Sequence, residues 1–244
     1  MGKIKFLIPL LMFFAISGQA QFIIGYTGGH GGLRELNREI YVYNQINAHQ
    51  LDKSMHELHW FQGPVIGFRT PGSVYFELTY NRKKARTQSV FTDSASSTEY
   101  NRQIKVYSNT YNFGIGVRVD DWSFGGSMDF GRFKGFGRRG PNSSIKDTAW
   151  TRLFVVENTR IIGISVRLYF AATFWVERTI GIATIRLYTQ PLAFRQPMDG
   201  LDNWLFPNRY AADPGGYGHM DYASPNEENF LNTGISLFLN IGGN

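Results

Sequence analysis

From Tyr107 to Asp120 the chain alternates. Tyr107, Tyr111, Phe113, Ile115, Val117 and Val119 share one parity, and Asn109 is the one polar break in it. Ser108, Thr110, Asn112, Gly114, Gly116, Arg118 and Asp120 share the other. A period of two turns successive side chains to opposite faces of a β-strand, so this segment has one apolar face and one small or polar face. Asp120-Asp121 suits a two-residue hairpin turn. Beyond it Trp122, Phe124, Met128 and Phe130 continue the apolar face, with Ser123, Gly125, Ser127 and Asp129 opposite.

The same pattern recurs along the chain. A hairpin turning at residues 70–73 has Ile66 and Phe68 before it and Val74, Phe76, Leu78 and Tyr80 after it on the apolar face; Tyr75, Glu77, Thr79 and Asn81 lie opposite. Another is expected to turn at Ala171-Ala172-Thr173, between a strand carrying Ile162, Ile164, Val166, Leu168 and Phe170 and one carrying Phe174, Val176, Ile180 and Ile182. Strands over residues 21–28 and 234–241 bring the expected number to eight. The three tight turns alternate with four long connections, near residues 29–59, 84–98, 136–159 and 189–230. In an up-and-down antiparallel barrel this order collects all tight turns at one end and all long loops at the other, the arrangement of transmembrane barrels with long extracellular loops.

The N-terminus points to the same compartment. Lys3 and Lys5, the apolar run from Phe6 to Ile16, and Gly18-Gln19-Ala20 read as a secretory signal peptide over residues 1–20, cleaved between Ala20 and Gln21. Its apolar stretch is too short to span a bilayer as a helix, which needs about 20 residues. Residues 21–244 then form one barrel domain. There is no Cys, so no disulfide supports the fold. The mean hydropathy of −0.24 is compatible with a membrane barrel, because only alternate residues face lipid. Without the two signal-peptide lysines the formal charge of +6 falls to about +4, a balance that does not call for nucleic acid in an exported protein. The expected location is the bacterial outer membrane, with both termini periplasmic and a monomeric state.

The signal end at Ala20-Gln21, a Gly-containing first strand, the loop pattern Leu36…Ile40…Tyr43-Asn44 and the regular hairpins resemble the small outer-membrane β-barrel proteins of Bacteroidota. Many members of that group have no assigned activity. The resemblance therefore implies fold and location, and no reaction.

Two groups of charged residues are candidates for function. On the inward parity, Arg69, Arg118 and Arg167 precede the three expected tight turns, and Glu77, Asp129 and Glu177 follow them. Eight strands enclose a space that side chains just fill, and buried charges must pair, so these six are expected to form an ion-pair network plugging the lumen, with Arg167 directly opposite Glu177. Near the loop end, Arg82, Lys83, Lys84, Arg86, Arg132, Lys134, Arg138 and Arg139, with Arg102 and Lys105 beside them, form a basic rim placed to meet lipopolysaccharide phosphates. Leu33, Leu36, Ile40, Tyr43 and Ile46 recur at helical spacing and predict a helix that caps the barrel mouth.

No catalytic, cofactor or metal site is expected. His56-Glu57-Leu58-His59 falls one residue short of the helical zinc-protease spacing, and His30, His49 and His219 are isolated in loops. The sequence favours a non-enzymatic barrel acting through its long loops, by surface adhesion, partner-protein binding or envelope integrity. A lipid A-modifying enzyme (an acyltransferase or deacylase) on the same scaffold and a secreted lipocalin-like barrel holding an apolar ligand are the alternatives.

Overall fold

The structure is a computed structural model that describes residues 20–93, 95–156, 159–161, 164–166, 169–195 and 227–242. The signal segment, Arg167 and His219 lie outside the described residues; Ala20 and Gln21, the expected cleavage pair, stand at the start of the first strand.

Eight antiparallel strands close into a ring. They are β1 (Gln21–Gly31), β3 (Trp60–Arg69), β4 (Val74–Asp93), β5 (Thr98–Val119), β6 (Trp122–Pro141), β10 (Tyr169–Ile180), β11 (Ala183–Arg195) and β12 (Glu227–Ile241). Each pairs with its neighbour along the chain, and β1 pairs with β12 to complete the circle. Short strands β2 (Leu51–Lys53) and β7 (Thr151–Val156) add to the walls on β4 and β6, and β8 (Thr159–Ile161) with β9 (Ile164–Val166) makes a separate small hairpin. The eight-stranded up-and-down barrel is the architecture the alternation predicts.

Two hairpins turn where expected, after Arg69 and at Asp120-Asp121. The third does not. Ala171-Ala172-Thr173 lies inside β10, and the chain turns at Gly181-Ile182. Gly181 has φ +60°, the left-handed setting that a two-residue primed turn needs and that glycine adopts without steric cost. Ala171 and Thr173 are small because they face a crowded interior, not because the chain reverses there. The sixth and seventh strands are therefore 169–180 and 183–195, where the sequence suggests strands of about 160–170 and 174–188.

The expected long loop at residues 84–98 is also corrected. β4 and β5 continue through it as 20- and 22-residue strands paired from Val74–Val117 to Asp93–Thr98. At about 3.4 Å per residue each is roughly 70 Å long, far more than the apolar part of the barrel needs. The hairpin therefore projects well beyond it, and β6 follows as far as Pro141.

Inside, the barrel has two storeys. Towards the tight turns many inward side chains are polar or charged, beside the aromatic rings of Tyr75 and Trp175 and a small apolar cluster of Ile23, Val65 and Phe238. Towards the loop end they become Phe61, Ala85, Ile104, Val106, Phe133, Leu153 and Ala171, and helix α1 (Arg34–Ile46) lays Leu36, Ile40 and Tyr43 against them. Those three helix residues are 0–3% exposed, whereas Ile46 is 57% exposed and faces away. Two asparagines hold the return segment to the helix. Met55 N donates to Asn44 Oδ1 at 3.0 Å while Asn44 Nδ2 donates to Met55 O at 2.7 Å; Leu58 N donates to Asn37 Oδ1 at 2.7 Å. Tyr43 Oη and Ser89 Oγ, 3.2 Å apart, tie α1 to β4.

Replacing both Asn37 and Asn44 by Ala leaves buried backbone groups unpaired, at about 1–3 kcal/mol each. Hydrogen exchange at Met55 and Leu58 is expected to rise about tenfold or more, while the amides of Gly114 to Val117 keep their protection.

Candidate functional site

The turn-end storey is organised around four buried charges: Arg69 on β3, Glu77 on β4, Glu177 on β10 and Arg186 on β11. Arg69 stands opposite Glu77, and Glu177 opposite Arg186, in the strand registers. Arg69 Nη2 donates to Glu77 Oε2 at 2.7 Å and lies 3.0 Å from Glu177 Oε2. Arg186 spans both acids, with Nη2 2.6 Å from Glu77 Oε2 and Nε 2.9 Å from Glu177 Oε2. Two cations and two carboxylates balance, and each carboxylate meets both guanidinium groups. Their side chains are 0–8% exposed.

Aromatic rings wall the quartet. Arg69 lies 4.5 Å from the Tyr75 ring centroid, and Arg186 lies 4.3 Å from that of Trp175 and 4.8 Å from that of Phe238. Tyr75 Oη donates to Glu177 Oε1 at 2.9 Å. The bulk of Tyr75 and Trp175 is admitted by glycines directly opposite them on the neighbouring strands. A Cβ at Gly116 would come within 2.3 Å of Tyr75, and one at Gly125 within 2.5 Å of Trp175.

The sequence placed Arg69, Glu77 and Glu177 in one lumenal network, and all three meet. Its other members behave differently. Glu177 faces Arg186 across the β10–β11 ladder and Ser123 across the β10–β6 ladder, so Arg167 is not its cross-strand partner. Arg118 joins none of the ion pairs among the described residues and instead lies over Tyr75, 5.6 Å from its ring centroid. Asp129 is buried but is held by neutral donors: Ser127 Oγ and Gln190 Nε2, each at 2.6 Å, with Asn112 and Thr173 also bonded to it. Arg186 was missed because one continuous strand through Gly181-Ile182 puts it on the outward parity, and the turn there brings it inward, opposite Glu177.

Between Asp129 and the quartet a cavity of about 40 Å³ is lined by Lys83, Asn112, Thr173, Tyr188 and Gln190 among others. It has room for a few waters, at about 10–15 Å³ each on this measure. Lys83 projects into this interior, buried, with Nζ 3.3 Å from Tyr188 Oη. It therefore leaves the predicted basic rim, the alternate parity of β4 turning it inward. Arg139 is exposed but falls on the inward parity of β6, opposite Arg102. Arg82, Lys84, Arg86, Arg132, Lys134 and Arg138 keep the outward parity.

The described histidines form no triad. His30 and His59 stack with centroids 5.3 Å apart, and His59 Nε2 meets Glu57 Oε2 at 2.7 Å in an exposed pair. No hydroxyl bonds to His59 and no group of three or more His, Cys, Asp or Glu side chains is placed to hold a metal, among the described residues.

Fold and interior together define a closed antiparallel eight-stranded barrel whose lumen is ion-paired at one end and filled by a helix at the other. No family model and no curated protein matches the chain. Among solved structures it is similar to Ail, the attachment invasion locus protein of Yersinia pestis, in complex with the heparin analogue sucrose octasulfate, at 9% identity and a TM-score of 0.41. That alignment covers 91% of this chain and 98% of the other.

Breaking the quartet by Glu77→Gln leaves two guanidinium groups short of a buried carboxylate and is expected to cost about 3–5 kcal/mol. Arg118→Ala, outside the quartet, is expected to cost under about 1 kcal/mol. Urea unfolding of the refolded barrel, followed by tryptophan fluorescence, checks both.

Proposed function

We propose that this protein is an outer-membrane barrel that does not conduct solutes and that works through the structures projecting from its loop end, as a platform for surface attachment or partner binding. The observation that carries the reading is the outer surface. Exposed apolar side chains cover all eight strands: Ile24 and Tyr26 on β1, Ile66 on β3, Phe76 on β4, Ile115 on β5, Phe124 on β6, Phe174 on β10, Leu187 on β11 and Leu237 on β12, with many neighbours. In water this much exposed apolar surface is a liability; in a bilayer it is the lipid-facing band. From Tyr111 to Val119 the band runs about 27 Å along the strand, or about 21 Å once tilted by about 40°, close to the height of such bands.

The interior argues against the alternatives. A lipocalin-like carrier needs an open apolar lumen and a polar outside; here the turn-end lumen is filled by Arg69, Glu77, Glu177 and Arg186, α1 packs against the apolar side chains of the loop end, and the outer face carries exposed aliphatic and aromatic side chains. A lipid A-modifying enzyme needs an activated nucleophile, and the His59–Glu57 pair has no hydroxyl hydrogen-bonded to His59 among the described residues. The quartet and α1 both oppose permeation. The projecting β4–β5 hairpin, its stem stiffened by Phe91 stacked on Tyr100 at 5.2 Å, and the exposed Tyr41 and Ile46 of α1 offer contact surface beyond the membrane. The resemblance to small outer-membrane barrels of Bacteroidota is part of the same proposal.

The membrane reading predicts that Ile115→Arg, in mid-band, lowers folding stability in phosphatidylcholine vesicles by about 2–4 kcal/mol. A protein that folds equally well in buffer without detergent or lipid contradicts it. In planar bilayers the closed lumen predicts no steady conductance steps.

A further inference from the structure

The outward faces of β4, β5 and β6 change character along a single line. Tyr80, Tyr111 and Phe130 stand side by side across the three strands as the last wholly aromatic rung, with the Tyr80 and Tyr111 rings 4.9 Å apart. The next rung is Arg82, Asn109 and Arg132. It is followed by Lys84, Tyr107 and Lys134, then by Arg86, Lys105 and Phe136, then by Gln88, Gln103 and Arg138. Rungs on one face are about 7 Å apart and neighbouring strands about 4.8 Å, so seven cations fall within a patch of about 20 by 10 Å.

None of these seven takes part in an ion pair among the described residues. Four of them are held in place by neighbouring side chains. Gln103 Oε1 accepts from Arg86 Nη2 at 2.6 Å and from Arg138 Nε at 2.9 Å, drawing two like charges together. Lys105 Nζ lies 3.6 Å and Arg138 4.5 Å from the Trp150 ring centroid, and Arg82 lies 4.8 Å from that of Tyr107. Burial and then the charges of Arg138, Arg86 and Arg82 push the Lys105 amine below its usual range, consistent with positive charge concentrated without a counter-charge. Among the side chains described beyond the apolar band the patch is one-sided: the outward residues of β3 are Pro64, Gln62 and Trp60, and those of β1, β11 and β12 are Gly28, His30, Thr189 and Thr233, all without a permanent charge.

We propose that the outer face of β4–β6 is a binding site for phosphate-bearing lipid headgroups, held where acyl chains lying on the aromatic band would bring them. The proposal rests on the membrane reading above. A lipid satisfies both halves of the surface at once: its chains cover Phe76, Phe113, Ile115 and Phe124, and its phosphates meet guanidinium forks already facing outward. A soluble phosphate would use the cations alone and leave the register with the aromatic rung without a purpose.

The test refolds the full chain into phosphatidylcholine vesicles doped with either bis-phosphorylated lipid A or the same lipid enzymatically dephosphorylated, then counts the lipid that co-purifies by mass spectrometry. The wild-type barrel is expected to retain the phosphorylated form about tenfold or more over the dephosphorylated one. The variant carrying R82Q, K84Q, R132Q and K134Q is expected to lose that preference while folding equally well in undoped vesicles. Equal retention of the two lipids by the wild type overturns the proposal without reference to any variant. So does an undiminished preference in the quadruple variant, or complete displacement of the lipid by millimolar pyrophosphate. Failure of the wild type to enter undoped phosphatidylcholine vesicles overturns the membrane reading itself, a separate result.

Discussion

Closure of the backbone ladder is the constraint from which the remaining features follow. A strand with an unpaired edge cannot stand in hydrocarbon, where each unsatisfied N–H or C=O costs several kcal/mol. The pairing of β1 with β12, from Phe22–Ile241 to Gly31–Asn232, removes the last edge. Once the ring closes with eight strands, its circumference leaves a lumen that side chains must fill, and the period of two decides which ones. Every residue that turns aliphatic groups to the outside turns its neighbour inward, so the interior inherits what the exterior rejects.

That inheritance is polar, and the barrel resolves it in two ways. At the turn end two arginines and two glutamates from four strands neutralise one another, while Tyr75, Trp175 and Phe238 exclude water around them. Such a quartet tolerates substitution of neighbours better than loss of one member, because a single deletion strands a desolvated charge. At the loop end the inward parity turns apolar, and the barrel fills itself with its own helix, clipped to the segment leading into β3 by Asn37 and Asn44. One end of the barrel is closed by charge and the other by packing, and a cavity of about 40 Å³ lies beside the charged end.

Much of this was legible in the sequence because alternation survives without tertiary context. The parity of Tyr107 to Val119, the turn at Asp120-Asp121 and the helical spacing of Leu36, Ile40 and Tyr43 all appear in the fold. Legibility failed where contrast between the faces failed. Beyond Asn81, β4 carries Lys83, Thr87 and Ser89 inward and Arg82, Lys84 and Arg86 outward; with both faces polar, a strand read as a loop. Ala171-Ala172-Thr173 looked like a turn because small residues serve both turns and crowded lumens. Gly181 continued the apparent inward parity of Glu177 and Thr179 and so hid the actual turn, which reverses the parity and brings Arg186 inward. Which cations face outward depends on register carried far past the apolar band, and the displacement of Lys83 from the rim to the interior follows from that register alone.

The central claim is that the apolar girdle is a lipid contact and the basic rungs above it are not buried in hydrocarbon. Because the chain has no cysteine, single-cysteine spin labels can be placed without background. Labels at Ile115, Phe76 and Leu237 in vesicles, compared with labels at Lys84 and Lys105, measure depth through collision with oxygen, which partitions into lipid, and with a water-soluble nickel chelate. The account predicts that the first three collide with oxygen and are shielded from the chelate, and that the last two show the reverse. Chelate access at Ile115 equal to that at Lys105 would contradict it.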